Sequence, residues 1–199
     1  MPFTELLDSK RSILVIIDEQ GKLMEMVHRP QLVIEATLRL LHLADMFEVP
    51  VVLTEQYPQG LGPTHARVLE AFNALETPHK YLDKLAFGCC GDAGFEPALV
   101  EMLPGVDPAR RQVVIAGIET HVCVIQTVLP LLATGNSVHL CWEAVSGRGE
   151  EHRKWALKRM LQAGAVVTNI ESVGFEWARS KEHPKFKEMS NLYKVGQLT

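Results

Sequence analysis

The sequence predicts an α/β fold: a three-layer sandwich with a mostly parallel, Rossmann-like six-stranded sheet covered by helices on both faces. Three observations carry this expectation. Several strand-like runs, such as Ser12-Ile-Leu-Val-Ile-Ile17, are continuously apolar instead of alternating, as central strands buried on both faces are. Strand-like and helix-like segments alternate along the chain, which implies right-handed βαβ crossovers. Finally, 199 residues, 47% hydrophobic and 22% charged, suit one globular domain (1–199) with a full core.

Ser12–Ile17 is the first strand and ends at Asp18. Gln31–Phe47 follows Pro30, a favourable helix start, and spaces Leu32, Ile34, Leu38, Leu41 and Met46 as a helix does. Val49–Thr54 is the second strand, and the Gly- and Pro-rich stretch Glu55–Pro63 is a loop. Thr64–Leu75 is expected to be helical and His79–Lys84 a short strand. Phe87–Asp92 is a second loop and Phe95–Met102 a short helix. Gln112–Ala116 is a buried strand followed by Gly117. Thr120–Ala133 reads as a helix that Pro130 should kink or leave irregular in its second half. Ser137–Cys141 is a strand, Gly149–Ala163 an amphipathic helix stopped by Gly164, and Ala165–Thr168 the last strand. The tail, His183–Val195, forms one more helix. No repeat, linker or low-complexity segment interrupts this pattern.

The formal net charge is −4 and the cations are scattered, so neither a nucleic-acid surface nor an anionic membrane is an expected partner. Met1–Ser12 contains Glu5 and Asp8 and lacks an apolar core, so it does not read as a secretory signal. The longest apolar run, Ile13–Ile17, is far too short to span a bilayer. The four cysteines (Cys89, Cys90, Cys123 and Cys141) form no C-x-x-C pair and no disulfide framework, which points to a reducing cytoplasm.

In parallel sheets, chemistry gathers outside the carboxyl ends of the strands. The polar residues just past each strand are therefore the candidates: Asp18, then Glu55 and Gln56, then Lys84, then Glu119–Cys123, then Trp142 and Glu143. Cys123 falls at an expected helix start, where the helix dipole and unpaired N–H groups would lower its pKa and hold an oxyanion. Its bland reading is a buried structural cysteine. Asp18 closes an apolar strand and is a candidate base or a turn cap. Lys84, alone a surface lysine, would between a carboxylate and a thiol lower the pKa of each.

With these residues in view, the chain resembles the isochorismatase-like cysteine hydrolases. Asp18-Glu-Gln20 is similar to their D-x-Q signature and Lys84–Phe87 to their K…F segment. Ala116-Gly-Ile-Glu-Thr-His-Val-Cys-Val124 is similar to their nucleophile turn, and Glu143-Ala-Val-Ser146 with Arg148 to a D-A-x-S-x-R element. The resemblance covers residues 12–177 in order and is closest to the isochorismatase-domain-containing proteins. It implies a triad of Asp18, Lys84 and Cys123 and a cis peptide between Ile118 and Glu119. It also implies an oxyanion hole from the backbone N–H groups of Glu119 and Cys123, and thioester chemistry on an amide-type or ureido carbonyl of a small molecule. Gln20, Glu55, Gln56, Phe87, His121 and Trp142 are the candidate pocket residues. Relatives are commonly oligomers, so a homo-oligomer, dimer or larger, is expected.

Two departures shape the reading. Where nicotinamidases of this family carry a D-x-H metal motif, this chain reads Thr54-Glu-Gln-Tyr57, so no metal and no other cofactor are expected. Isochorismatases proper lack the cysteine that stands here at 123. Two other functions stay open: a catalytically silent binding protein, and a thiol redox sensor in which Cys141, on the neighbouring strand, would have to resolve Cys123.

Overall fold

The computed structural model describes residues 5–194. Six strands, all paired in parallel, form one sheet in the order β3-β2-β1-β4-β5-β6. They are β1 (Ser12–Ile17), β2 (Val51–Gln56), β3 (His79–Lys84), β4 (Gln112–Ile118), β5 (Ser137–Ser146) and β6 (Val166–Thr168). The helices in chain order are α1 (Gly21–Met24), α2 (Pro30–Met46), α3 (Pro58–Leu61), α4 (Ala66–Asn73), α5 (Phe95–Met102), α6 (Ile125–Ala133), α7 (Glu150–Gln162), α8 (Ile170–Ala178) and α9 (Phe186–Lys194).

The two-residue period of a strand sends alternate side chains to opposite faces, and the core divides accordingly. Leu14 and Ile16 of β1 pack with α2, α4, α8 and α9; Ile13, Val15 and Ile17 pack with α5, α6 and α7. Both faces of β1 and β4 are fully buried, as their unbroken apolar sequences require. The edge strand β3 is half exposed, with only Lys84 buried.

The crossovers run from β1 outward to β3 over one face and from β4 outward to β6 over the other. The direction in which successive strands are laid down therefore reverses between β1 and β4, which is where such sheets open a crevice beyond their strand ends. Gly117 lets β4 approach β1 there. It has φ +123°, and a Cβ on it would collide with the backbone of Ile17, its register partner.

Four features depart from the sequence expectation. β2 starts at Val51 and runs to Gln56, and the expected loop after it holds the one-turn α3. β5 continues past Cys141: after an irregularity opposite Ile115 and Gly117 the strands re-pair as Gly117↔Val145 and Ile118↔Ser146. Trp142 and Glu143 thus lie within a strand and not beyond its end. Pro130 leaves the second half of α6 helical; the irregular part is the first, a π-helical turn at Thr120–Val124. Finally, α8 had no counterpart in the expectation. Asn169 caps it by accepting from Ser172 N at 2.8 Å, and Glu143 Oε2 accepts from Ile170 N at 3.1 Å. The expected tail helix is α9; Val195 lies outside the described residues.

Candidate active site

Asp18 leaves β1 with a left-handed backbone (φ 53°), a conformation Asp tolerates better than most residues. The turn is fixed by Asp18 N donating to Thr54 O (3.1 Å). Its fully buried carboxylate has two donors on opposite oxygens: Lys84 Nζ on Oδ2 at 2.6 Å and Thr54 Oγ1 on Oδ1 at 2.7 Å. Lys84, also buried, spends its other hydrogens on the carbonyls of Ala86 (3.1 Å) and Phe87 (2.7 Å). A buried ammonium with one carboxylate and two carbonyls has its charge and all three donors satisfied.

Cys123 sits in the π-helical turn after β4, buried, in the same core layer as Ile17 and Cys89. The Ile118–Glu119 peptide leading into the turn is cis. The Asp18 carboxylate is close enough to the Cys123 thiol to raise its pKa, and the Lys84 ammonium close enough to lower it. The three side chains therefore converge at the β1/β4 switch point.

One expectation is overturned. The helix start was to lower the Cys123 pKa; instead burial pushes it up, the Asp18 carboxylate adds to the rise, and Lys84 offsets only part of it. These surroundings favour the protonated thiol.

Residues around the turn lock one another. Glu119 binds Arg148 Nε through Oε1 at 3.0 Å and faces His121 Nε2 at 3.5 Å. The ring of His121 stacks on that of His152, 4.5 Å between centroids, and burial lowers its pKa. Thr120 Oγ1 donates to Ser146 O at 2.7 Å, tying the turn to the end of β5.

Of the candidate pocket residues, Gln20, Glu55 and Gln56 serve a brace. Gln20 Nε2 donates to the carbonyls of Gln56 (3.0 Å) and Gly62 (2.7 Å), and its Oε1 accepts from Gln56 N (2.8 Å). Glu55 accepts from Thr64 N and Oγ1 on one oxygen and from Tyr81 on the other. Gln56 Nε2 donates to Leu85 O (3.1 Å). Their polar atoms hold the 57–63 segment over the strand ends. The Phe87 side chain is exposed, while its carbonyl holds Lys84. Trp142 lies away from the turn, in a groove beside α7 with the Arg153 guanidinium 5.1 Å from its ring.

Cys141 packs on the opposite face of the sheet from Cys123, with α2 and α8, so it does not stand as a partner for that thiol. Sequence reasoning missed Thr54, Cys89 and Thr127, which lie around Asp18, Lys84 and Cys123. Only the position of Thr54 at a strand end marked any of them. Among the described residues, no group of three or more His, Cys, Asp or Glu side chains is arranged to hold a metal ion.

Fold and site together define a parallel α/β protein of the isochorismatase-like hydrolase type. The isochorismatase domain model matches residues 12–172, and the chain belongs to that family. It is 39% identical over 163 residues to isochorismatase domain-containing protein 1 of Danio rerio; this is 82% of the chain but 54% of that relative, so the chain spans about half of its length. It is 37% identical to isochorismatase domain-containing protein 2 of Pongo abelii, covering 92% of the chain and 83% of the relative. Among solved structures, one described as the MAR1 ribonuclease of Caenorhabditis elegans superposes with TM-score 0.85 at 32% identity, over 96% of this chain and 94% of that one. The YcaC gene product of Escherichia coli, described as an octameric hydrolase of unknown specificity, shares the fold (TM-score 0.83, 24% identity, 97% and 91% covered). No helix among the described residues is long and apolar enough to cross a membrane.

Proposed function

We propose that this chain is a metal-independent cysteine hydrolase that cleaves a C–N bond, amide or ureido, of a small molecule through a thioester intermediate. The observation that carries this reading is the buried Asp18–Lys84 pair, 2.6 Å apart, with the Cys123 thiol beside the same carboxylate. A thiol raised by burial is unreactive until its proton is removed, and Asp18 is the base in place to remove it.

In the first half-reaction Asp18 takes the S–H proton as the sulfur attacks the carbonyl carbon. The carbonyl π electrons move to oxygen, where the backbone N–H groups of Glu119 and Cys123 hold the oxyanion. The C–N bond breaks as electrons return, and Asp18 delivers its proton to the leaving nitrogen. Water then attacks the thioester, with Asp18 again taking the proton, and the sulfur leaves to regain it. Lys84 balances the carboxylate while the proton is away from it and places it against the thiol.

The donor set after β2 supports a metal-free reaction, because both Glu55 oxygens are committed to Thr64 and Tyr81. A small-molecule substrate fits the scattered cations and the net charge of −4, which give no track for a phosphate backbone. We assign the protein to a reducing compartment, the cytoplasm, on its four free thiols, and to a homo-oligomer in solution.

The test is a screen of small amides and ureido compounds, with an RNA oligonucleotide as a separate arm, comparing wild type with Cys123→Ala. Release of ammonia or amine by wild type alone is expected. Release that persists in Cys123→Ala removes the covalent step, and cleavage of RNA alone replaces the substrate class.

A further inference from the structure

The three reacting groups come from three strand ends, and two threonine hydroxyls link them. Thr54 Oγ1, on β2, donates to Asp18 Oδ1 at 2.7 Å. Its oxygen lies 3.8 Å from Cys89 Sγ. A hydroxyl has one proton, and that of Thr54 is spent on Asp18, so the Cys89 thiol is the donor to Thr54. Burial suits this role by keeping Cys89 protonated, its pKa pushed up to about 11. Next along the chain of contacts, Cys89 N donates to Thr127 Oγ1 at 2.9 Å. Thr127 Oγ1 in turn donates to the carbonyl of Cys123, one helical turn earlier, at 2.8 Å.

Cys89 belongs to the same loop as Phe87, whose carbonyl holds Lys84. Thr127 therefore ties the loop that holds the lysine to the residue that carries the thiol. The loop lies tightly on α6. A Cβ on Gly88 would collide with the carbonyl of Gln126, which Pro130, four residues on, has no N–H to satisfy.

We infer that Thr54 and Thr127 are positioning residues that hold the carboxylate, the ammonium and the thiol in register, with Cys89 as the neutral link between them. The inference rests on the proposed roles of Asp18, Lys84 and Cys123. Two donors on opposite oxygens fix the carboxylate plane, which one donor leaves free to turn; Thr54 supplies the second. Thr127 joins the two elements that carry the other groups.

Iodoacetamide labelling of Cys123, read by mass spectrometry at fixed pH, tests this without a known substrate. Thr54→Val and Thr127→Val are expected to slow labelling about tenfold each. Thr54→Ser and Thr127→Ser, which keep the hydroxyl, should restore it to within about twofold. Thermal melting of every variant accompanies the labelling, and a valine variant that does not fold is replaced by alanine. Folded Val or Ala variants that label at the wild-type rate, or Ser variants that fail to restore it, overturn the inference. Asp18→Asn is the reference. It removes the charge that holds the Cys123 pKa up, so its labelling rate should differ from wild type; if it labels at the wild-type rate, the thiol–carboxylate reading falls, and if its rate changes while the threonine variants match wild type, only the threonine roles fall.

Discussion

β1 is followed by two adjacent carboxylates, Asp18 and Glu19, both fully buried, and the protein handles them in opposite ways. Asp18 faces the core layer of α5 to α7, where Lys84 gives it an opposite charge and Thr54 a hydrogen bond. Glu19 meets α2 on the other side. It has one hydrogen bond there, from Thr37 Oγ1 at 2.6 Å, and its Oε2 has no partner. Burial raises the Glu19 pKa to about 8, with Thr37 offsetting part of the rise. A charge with a partner can stay a charge inside a protein; one without a partner gives up its charge by taking a proton. One residue along the chain thus separates a carboxylate paired with a cation from one that is structural and pH-sensitive.

The comparison breaks first at the ion pair. Asp18→Asn should lower turnover of whatever amide or ureido substrate the screen identifies by about a thousandfold or more, since it removes the proposed base from both proposed half-reactions. Lys84→Ala should do the same and also destabilise the fold by about 3–5 kcal/mol, because it strands a buried carboxylate. Urea titration of both variants separates the two effects. A Lys84→Ala protein as stable as wild type would mean that Asp18 does not depend on the lysine for its place.

This contrast was half legible in the sequence. Asp18 announced itself by closing a strand of unbroken apolar residues, and Lys84 and Cys123 stood at other strand ends, so the topology alone brought them together. Glu19 carried no such mark, because its environment is set by Thr37 on a helix distant in sequence. The fold was legible because central parallel strands are apolar throughout and turns are rich in glycine and proline. Helix α8 was missed although Asn169, Ile170, Val173 and Trp177 have a cap and helical spacing, because Gly174 interrupts the pattern. The chain gives no local signal for where β5 stops, since its last residues pair with β4 only after a shift of register. The roles of Gln20 and Glu55 were equally hidden, as they depend on the fold of the 57–63 segment.

Glu19→Gln sharpens the other half of the comparison. The folded-state pKa of Glu19, about 8, lies above its ordinary value of 4.5. Between those values the folded protein binds a proton that the unfolded chain has released, so the Glu19 contribution to stability falls as pH rises through that window and levels off above it. At about 1.4 kcal/mol per pH unit, the loss is about 2 kcal/mol between pH 6.5 and 8 alone. Buried His139, lowered to about 4, has the opposite slope but only below its ordinary value of 6.5, so the upper window isolates the glutamate. Glutamine keeps the acceptor for Thr37 and removes the titration. The urea midpoint of wild type should fall from pH 6.5 to 8 while that of Glu19→Gln stays level; parallel curves would show that Glu19 does not carry the dependence.

The smallest effect separates burial from hydrogen bonding. Thr37→Val removes the one donor to Glu19 while keeping shape and volume close to the original. The lost bond should cost about 1 kcal/mol near pH 5.5, where Glu19 is protonated in the folded protein, and about twice that above pH 8, where the bond is charge-assisted. Since Thr37 holds the pKa down, its loss moves the folded-state value higher, and the Glu19 contribution goes on declining past the pH at which it levels off in wild type, so the gap between the two proteins widens there. A cost that does not change with pH would mean that Thr37 merely fills space beside Glu19. A cost that grows with pH would show a single hydroxyl doing for Glu19, weakly, what Lys84 and Thr54 together do for Asp18.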